Sequence, residues 1–479
     1  MRNLRLVSLK LTVFLGAFAP NTHATCQGHS GLPSLYICGT ILTPSGPIRN
    51  GHISIENGRI HSIGATCTLS PHADTTTFID CGTGVVSPGF INAHEHLEFA
   101  TVRPLLDDGT RVSHRHDWRR GMRGNEKREP ARNYTKLVSA MWGELRHIFS
   151  GTTSVVGGAM APGLVRNLDW AEGLGVGLVS GAAKYDIYPL DDKEGILRKD
   201  DCDYGPHTIT KEQAAKYPMY IAHVSEGIDA EAANEFRCLS DASYDVTPLP
   251  NGGGTSTDII QPNVAFVHAL GLTEPDFDLV AERGAHLVWS PRTNIFLYGK
   301  TLDISVPLAK GVNVALGTDW VVSGSATMGR EAVCAAHVMK NSFGVDVEAK
   351  TLWEMMTINA AKASGVAAHV GSLEVGNLAD IVIFRDDGGD PYGSVVFGKP
   401  ENINLVLRGG KVLVANPTLN QLSGEYCESV TFGEPSKKIV CVANELGKTY
   451  AEFKKDLEGV YPAILPGVPE NEPSCEPTR

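Results

Sequence analysis

The sequence predicts an α/β chain in which a parallel β/α barrel is inserted into a small β domain. Three observations carry this. From about residue 89 to 365, short apolar runs alternate with helix-like stretches, the pattern of a parallel barrel. On either side, residues 33–88 and 372–414 read as short strands broken by Gly, Pro and Asn turns. Four of the barrel runs end in metal-ligand side chains: "GFINAHEH", "MYIAHVSE", "VAFVHAL" and "VNVALGTD". At 479 residues the chain has room for a barrel and an accessory domain.

Taken in order, residues 1–24 read as a signal peptide. Arg2, Arg5 and Lys10 form a basic region, "LTVFLGAFA" an apolar one, and Thr22, His23 and Ala24 a small-residue cleavage site. The arginines are not twinned, which favours a Sec-type route and a periplasmic or secreted location. Residues 25–88 form the first part of the β domain and 89–370 the barrel. Barrel strands are expected near 152–156, 175–181, 219–224, 264–268, 286–290 and 312–317. Residues 371–424 return to β character in "GSLEVGNLADIVIF" and "INLVLRGGKVLVA". In the extension 425–479, Val442, Leu446, Tyr450, Phe453 and Leu457 share one helical face, and a loose tail ends the chain.

Ten cysteines fit an exported protein. Cys26/Cys38, Cys67/Cys81, Cys202/Cys238 and Cys427/Cys441 are locally spaced candidates, although spacing does not fix connectivity. Cys334 is expected as a buried core thiol. No Cys-x-x-Cys occurs, which argues against a thiolate zinc site. The net charge of −12 argues against a nucleic-acid partner. No internal run approaches the ~18 apolar residues of a membrane span.

Residues two apart on a strand point the same way, so His94 and His96 can grip one ion from a single strand end. His223 adds a third imidazole from another strand and Asp319 a carboxylate, a set suited to a borderline divalent metal. Glu226, three residues after His223, is placed to shuttle a proton to a leaving nitrogen. Asp319 can also accept the proton of the attacking water. His268 can orient that water, or ligate a second metal.

The stretches "PGFINAHEHL", "HVSEG", "WSPRTNIFLYG", "NVALGTD" and "TINAAKASGVAAHVGSLEVGNLADIVIF" resemble the amidohydrolase superfamily, and within it the branch of heterocycle deaminases and s-triazine hydrolases. That resemblance implies a distorted (β/α)8 TIM barrel with a flanking β-sandwich. It implies one divalent metal, zinc or iron, held by His94, His96, His223 and Asp319, with Glu226 as proton shuttle and His268 positioning substrate or hydroxide. It implies a homo-oligomer and gives Thr357, Asn359 and Asp380 structural roles. The expected reaction is hydrolytic deamination of a small nitrogen heterocycle by a metal-activated water.

Two other readings stand beside it. In the first, Lys184 is carboxylated and bridges two metals for amide, cyclic amide or dipeptide hydrolysis. In the second, the fold is a non-catalytic periplasmic binding protein, against which intact Glu226 and Asp319 argue. The loop 111–132 carries eight Lys/Arg against three Asp/Glu, so Arg115, Arg119 and His116 are candidate contacts for an anionic substrate. Asn294, Trp320, Ser323 and Ser325 are further candidate substrate contacts.

Overall fold

Five short strands run parallel and side by side in the order Asn313–Leu316, His286–Trp289, Val264–His268, Tyr220–Val224 and Lys184–Asp186. A second parallel sheet holds Phe90–Asn92, Thr152–Val155 and Arg166–Asn167. These belong to a computed structural model that describes residues 26–29, 34–68, 76–158, 163–247 and 254–479. The expected signal segment 1–24 lies outside the described residues.

Both faces of these strands are covered, which is why they read as near-continuous apolar runs. Tyr220, Ile221, Ala222, Val264, Ala265, Phe266 and Val267 are fully buried. Hydrogen bonds bridge the two sheets at both seams. The Ala93 amide donates to Leu316 at 3.3 Å and the Ala183 amide to Leu168 at 2.9 Å.

Side chains set the helix starts between the strands. Thr135 accepts from Val138 N–H before Lys136–Ile148, and Asp229 from Ala232 N–H before Ala230–Ser240. Thr327 accepts from Arg330 N–H before Met328–Phe343.

One expected barrel strand is displaced. Residues 175–181 are turn and loop. Gly175 and Gly177 take φ of 75° and 88°, and Val176 and Val179 are exposed. Two left-handed glycines break the extended run, and the strand instead falls at Lys184–Asp186. The two-residue strand Arg166–Asn167 carries no apolar periodicity and was not expected.

The accessory domain is a single ten-stranded hydrogen-bonded sheet rather than two separately paired ones. Ser34–Ile41, Ile48–Glu56, Arg59–Gly64 and Thr76–Pro88 come from before the parallel-strand region. Ile381–Phe384, Ile403–Arg408 and Lys411–Ala415 come from after it. The two halves join where Thr76–Pro88 pairs antiparallel with Ile381–Phe384. Ile37, Ile53, Ile79, Ile381 and Leu405 pack into one core.

The extension differs from expectation in three ways. It adds the strands Glu428–Thr431 and Lys437–Val440 to the edge of this sheet. Its helical face is split into Ala443–Leu446 and Tyr450–Lys455, because Gly447 turns left-handed at φ 75° and Thr449 caps a new start. The tail is not loose. Tyr461 is buried, its carbonyl accepts from Trp142 Nε1 at 2.7 Å, and Glu472 is nearly buried against Arg330.

Cys202–Cys238 and Cys427–Cys441 pair as their spacing suggests. The N-terminal four pair as Cys26–Cys81 and Cys38–Cys67, because strand pairing overrides proximity in sequence. Cys334 is bonded to Cys475, 141 residues away, and is therefore not a free core thiol. Among the described residues no helix is long and apolar enough to cross a membrane.

Candidate active site

The two strand ends that open the site are pinned to each other. His96 N–H donates to Asp319 O at 2.7 Å, and Asp319 N–H to His94 O at 2.9 Å. Glu95, between the two histidines, faces away from them. Its carboxylate accepts from Asn92 Nδ2 at 3.2 Å and from Thr318 Oγ1, and lies 3.5 Å from His147 Nε2. Gly317 permits the close approach, since a Cβ there would sit 2.6 Å from the Cβ of His94. Ser225, His268 and Asp319 have φ of 56°, 66° and 63°. Side chains other than glycine seldom occupy that region, and such residues concentrate at functional sites.

Around this pin the strand-end side chains converge. His94 Nε2 lies 3.1 Å from Asp319 Oδ1, and His96 Nε2 lies 3.4 Å from the same oxygen. Ring centroids of His94 and His223 are 4.7 Å apart, and those of His223 and His268 5.2 Å. Two overlapping trios, His94/His96/Asp319 and His94/His223/His268, each bring one donor atom per residue within 4.8 Å of the others.

Burial pushes the His94 imidazole down to about 3 against the raising effect of Asp319, and it pushes His223 well below its ordinary value. Both rings therefore sit neutral, the form that ligates metals. Burial works the other way on Asp319, but contact with His94 and the nearby histidines outweigh it and hold the carboxyl at about 2. His94 Nε2 and His223 Nδ1 are buried without a hydrogen-bond partner. Orphaned imidazole nitrogens, one of them 3.1 Å from the Asp319 carboxylate, fit a divalent cation.

Glu226 and His268 stand beside this cluster. Tyr298 Oη donates to Glu226 Oε1 at 2.6 Å, and Trp118 Nε1 donates to Tyr298 Oη at 3.0 Å. His268 Nε2 lies 3.7 Å from Glu226 Oε2. His268 Nδ1 is 3.0 Å from Asn294 Oδ1, whose amide nitrogen donates to Thr301 Oγ1 at 3.4 Å. That arrangement assigns the proton to Nδ1 and leaves Nε2 facing the site.

The sequence reading missed Tyr298 and Tyr185. Tyr185 Oη lies 2.9 Å from His94 Nδ1 and 3.3 Å from His96 Nε2. Lys184, the expected bridge of a binuclear site, points out and is exposed. Side chains alternate along a strand, so the one-residue difference puts Tyr185 inside and Lys184 outside. The alternation was legible, but the strand boundary that fixes its phase was not.

The basic loop is folded inward. Arg115 is buried, donates to Asp192 at 2.5 Å and lies 3.7 Å from Glu235. His116 Nε2 meets Asp192 at 2.8 Å and His114 Nε2 meets Glu235 at 3.0 Å. Burial pushes His116 down to about 4 although Asp192 opposes it. Arg115 is thus neutralised by protein carboxylates, which removes it as an anion receptor. Arg119 differs. It is 7% exposed, its Nε has no partner, and its guanidinium lies 4.6 Å from the Tyr188 ring centre.

A cavity opens between these groups. His96, His223, Glu226, His268 and Asp319 line its floor, and Phe99, Trp118, Arg119, Tyr188 and Trp320 its walls. Trp320 is where a substrate contact was expected. Ser323 and Ser325 are not, being buried against Thr293 at 2.7 Å and Arg292 at 2.6 Å. Asn294 reaches the site only through His268.

Residues 231–413 match the model of the Amidohydrolase family. The chain carries an amidohydrolase family domain. The chain is 28% identical over 424 residues to a 5-methylthioadenosine/S-adenosylhomocysteine deaminase of Moorella thermoacetica, covering 81% of this chain and 95% of the relative. It is also 28% identical over 432 residues to a 5'-deoxyadenosine deaminase of Methanothermobacter thermautotrophicus, covering 82% and 96%. Among solved structures, the zinc complex of atrazine chlorohydrolase from Arthrobacter aurescens superposes with a TM-score of 0.56. Identity is 19%, and the match covers 80% of this chain and 95% of that one.

Proposed function

We propose that this amidohydrolase removes an amino group from a nitrogen heterocycle by hydrolysis, using one divalent metal, zinc by the precedent of its structural neighbours. The observation that carries the reading is that His94, His96, His223 and Asp319 fall in two overlapping trios that share His94, with Glu226 beside them. Those four residues would hold the ion, which when bound acts as a Lewis acid and makes an attacking water acidic.

The chain's own groups supply the rest. Asp319, ionised above about 2, accepts the proton of the attacking water. A carbon–oxygen bond forms at the ring carbon, and Glu226 relays the proton taken from the water to the departing nitrogen as the carbon–nitrogen bond breaks and ammonia leaves. Tyr298 aims Glu226, and Asn294 fixes the ring of His268 so that Nε2 meets the reacting face. The aromatic walls Phe99, Trp118 and Trp320 stack a flat ring and exclude bulk water.

Arg119 favours an anionic group on the substrate. Its Nη2 donates to Lys193 O, but among the described residues it has no ion pair and its Nε has no partner, and a guanidinium with a free donor on a cavity wall suits a carboxylate. Arg119→Ala is expected to raise KM for an anionic heterocycle about tenfold or more and to leave kcat little changed. An unchanged KM and salt dependence would remove this assignment. The binuclear alternative loses its support because Lys184 is outside the site.

Three wider readings belong with this proposal. The eight parallel strands between residues 90 and 316 would close as one distorted (β/α)8 barrel. Residues 1–24 would direct export, which a mature N-terminus at Thr25 would demonstrate. The assembly would be a homo-oligomer, read by sedimentation. The function itself is tested by incubating the zinc-loaded protein with aminated purines, pyrimidines and triazines. Ammonia release stoichiometric with product is expected, and its absence across the panel would reject the reading.

A further inference from the structure

We infer that the C-terminal strap, residues 472–479, is a positioning element for the active site and acts through the helix Pro291–Tyr298. The inference rests on the proposed function only for the roles of Glu226 and His268. Its geometry stands alone.

The helix is two turns long and wholly buried. Helices of that length have little stability of their own, so their placement depends on what grips them. Its inner face carries Asn294 and Tyr298, four residues apart, which hold His268 and Glu226 at 3.0 and 2.6 Å. Any drift of the helix moves both groups together.

The strap grips its two ends from outside. At the N-terminal end, Arg292 donates to Pro473 O and lies 3.3 Å from Glu472, which also binds Arg330 at 2.5 Å. Arg292 is 3% exposed, so Glu472 neutralises a buried charge there. At the C-terminal end, Gly299 O accepts from the amides of Thr478 at 3.0 Å and Arg479 at 3.2 Å. Those bonds satisfy a carbonyl that the end of the helix leaves open. Arg479 then donates to Arg111 O at 2.8 Å, and Arg111 Nε to Thr478 Oγ1 at 3.1 Å. Cys334–Cys475 closes the strap covalently between the two grips.

The test uses the full mature protein and two variants. One lacks only Thr478 and Arg479, so that Glu472 and the disulfide remain. The other is the Cys334→Ser/Cys475→Ser double variant. Amide exchange is read by mass spectrometry with no substrate present, and ammonia release supplies kcat and KM. The strap reading predicts that amides of 294–299 exchange about tenfold faster in both variants while those of 220–224 keep their protection. It predicts a fall in kcat of about tenfold or more with KM changed less than about twofold, since small misplacement of catalytic groups acts on the chemical step.

Unchanged exchange in both variants overturns the inference. So does a uniform rise across the chain, which would make the strap a general stabiliser, and so does selective loosening with unchanged kcat. A parent protein that releases no ammonia from any heterocycle, yet loosens selectively, refutes the proposed function and leaves the grip on the helix demonstrated.

Discussion

Glu226 is held from two sides, by the Tyr298 hydroxyl at 2.6 Å and the His268 ring at 3.7 Å. Glu226→Gln keeps the shape and the Tyr298 contact but cannot carry a proton. Its kcat is expected to fall about 100-fold or more with metal content unchanged; full activity would remove Glu226 from proton transfer. Tyr185 touches both histidines of the first strand end, so Tyr185→Phe is expected to weaken zinc binding about 10-fold or more in a chelator competition. An unaltered zinc affinity would leave Tyr185 no part in orienting those rings. At this scale the clustered side chains were legible, because His94, His96, His223 and Asp319 each end an apolar run. Tyr185 and Tyr298 were not, because a tyrosine among apolar residues looks like core until its partner is known. Arg115, expected to contact an anionic substrate, is instead paired within the protein, and its partners Asp192 and Glu235 lie 77 and 120 residues further along the chain.

Elements were legible where a run had one period and failed where glycine interrupted it. The strands at 220–224, 264–268, 286–289 and 313–316 fall within a residue of expectation, whereas the Gly175/Gly177 stretch displaced its neighbour and misassigned Lys184. The helix Lys136–Ile148 carries a buried carboxylate that makes a pH test possible. Glu144 accepts from Leu164 and Val165 N–H at 3.0 and 3.2 Å, and burial outweighs these bonds and pushes its carboxyl up to about 8. Its folded value lies above the ordinary 4.5, so its stabilising contribution is complete below about 4.5 and is lost as pH rises through about 8. Glu144→Gln should therefore flatten the decline of Tm across that window, and a wild-type slope would contradict the assignment. The Cys202–Cys238 bridge ties the loop around Asp192 to the helix bearing Glu235. Cys202→Ser/Cys238→Ser is expected to cost about 2–4 kcal/mol in denaturant unfolding. A loss below ~1 kcal/mol would show the loop held by its ion pairs alone.

For the whole molecule, parallel strands inserted between the two halves of one antiparallel-rich sheet follow from two β-rich segments flanking an alternating one, and that pattern survives without knowing any contact. The strap does not, because its grips join residues 111, 292, 299 and 330 to the last eight residues of the chain. Polar sequence rich in Pro and Glu gives no periodic signal, so it read as loose. The proposed site holds a single metal on four strand-end residues beside one proton shuttle. The most direct measurement is metal per chain by mass spectrometry on the mature protein and on Asp319→Asn. The account predicts one divalent metal, zinc, per chain in the parent and its loss in the variant. Two metals per chain, or full occupancy without the Asp319 carboxylate, would contradict it.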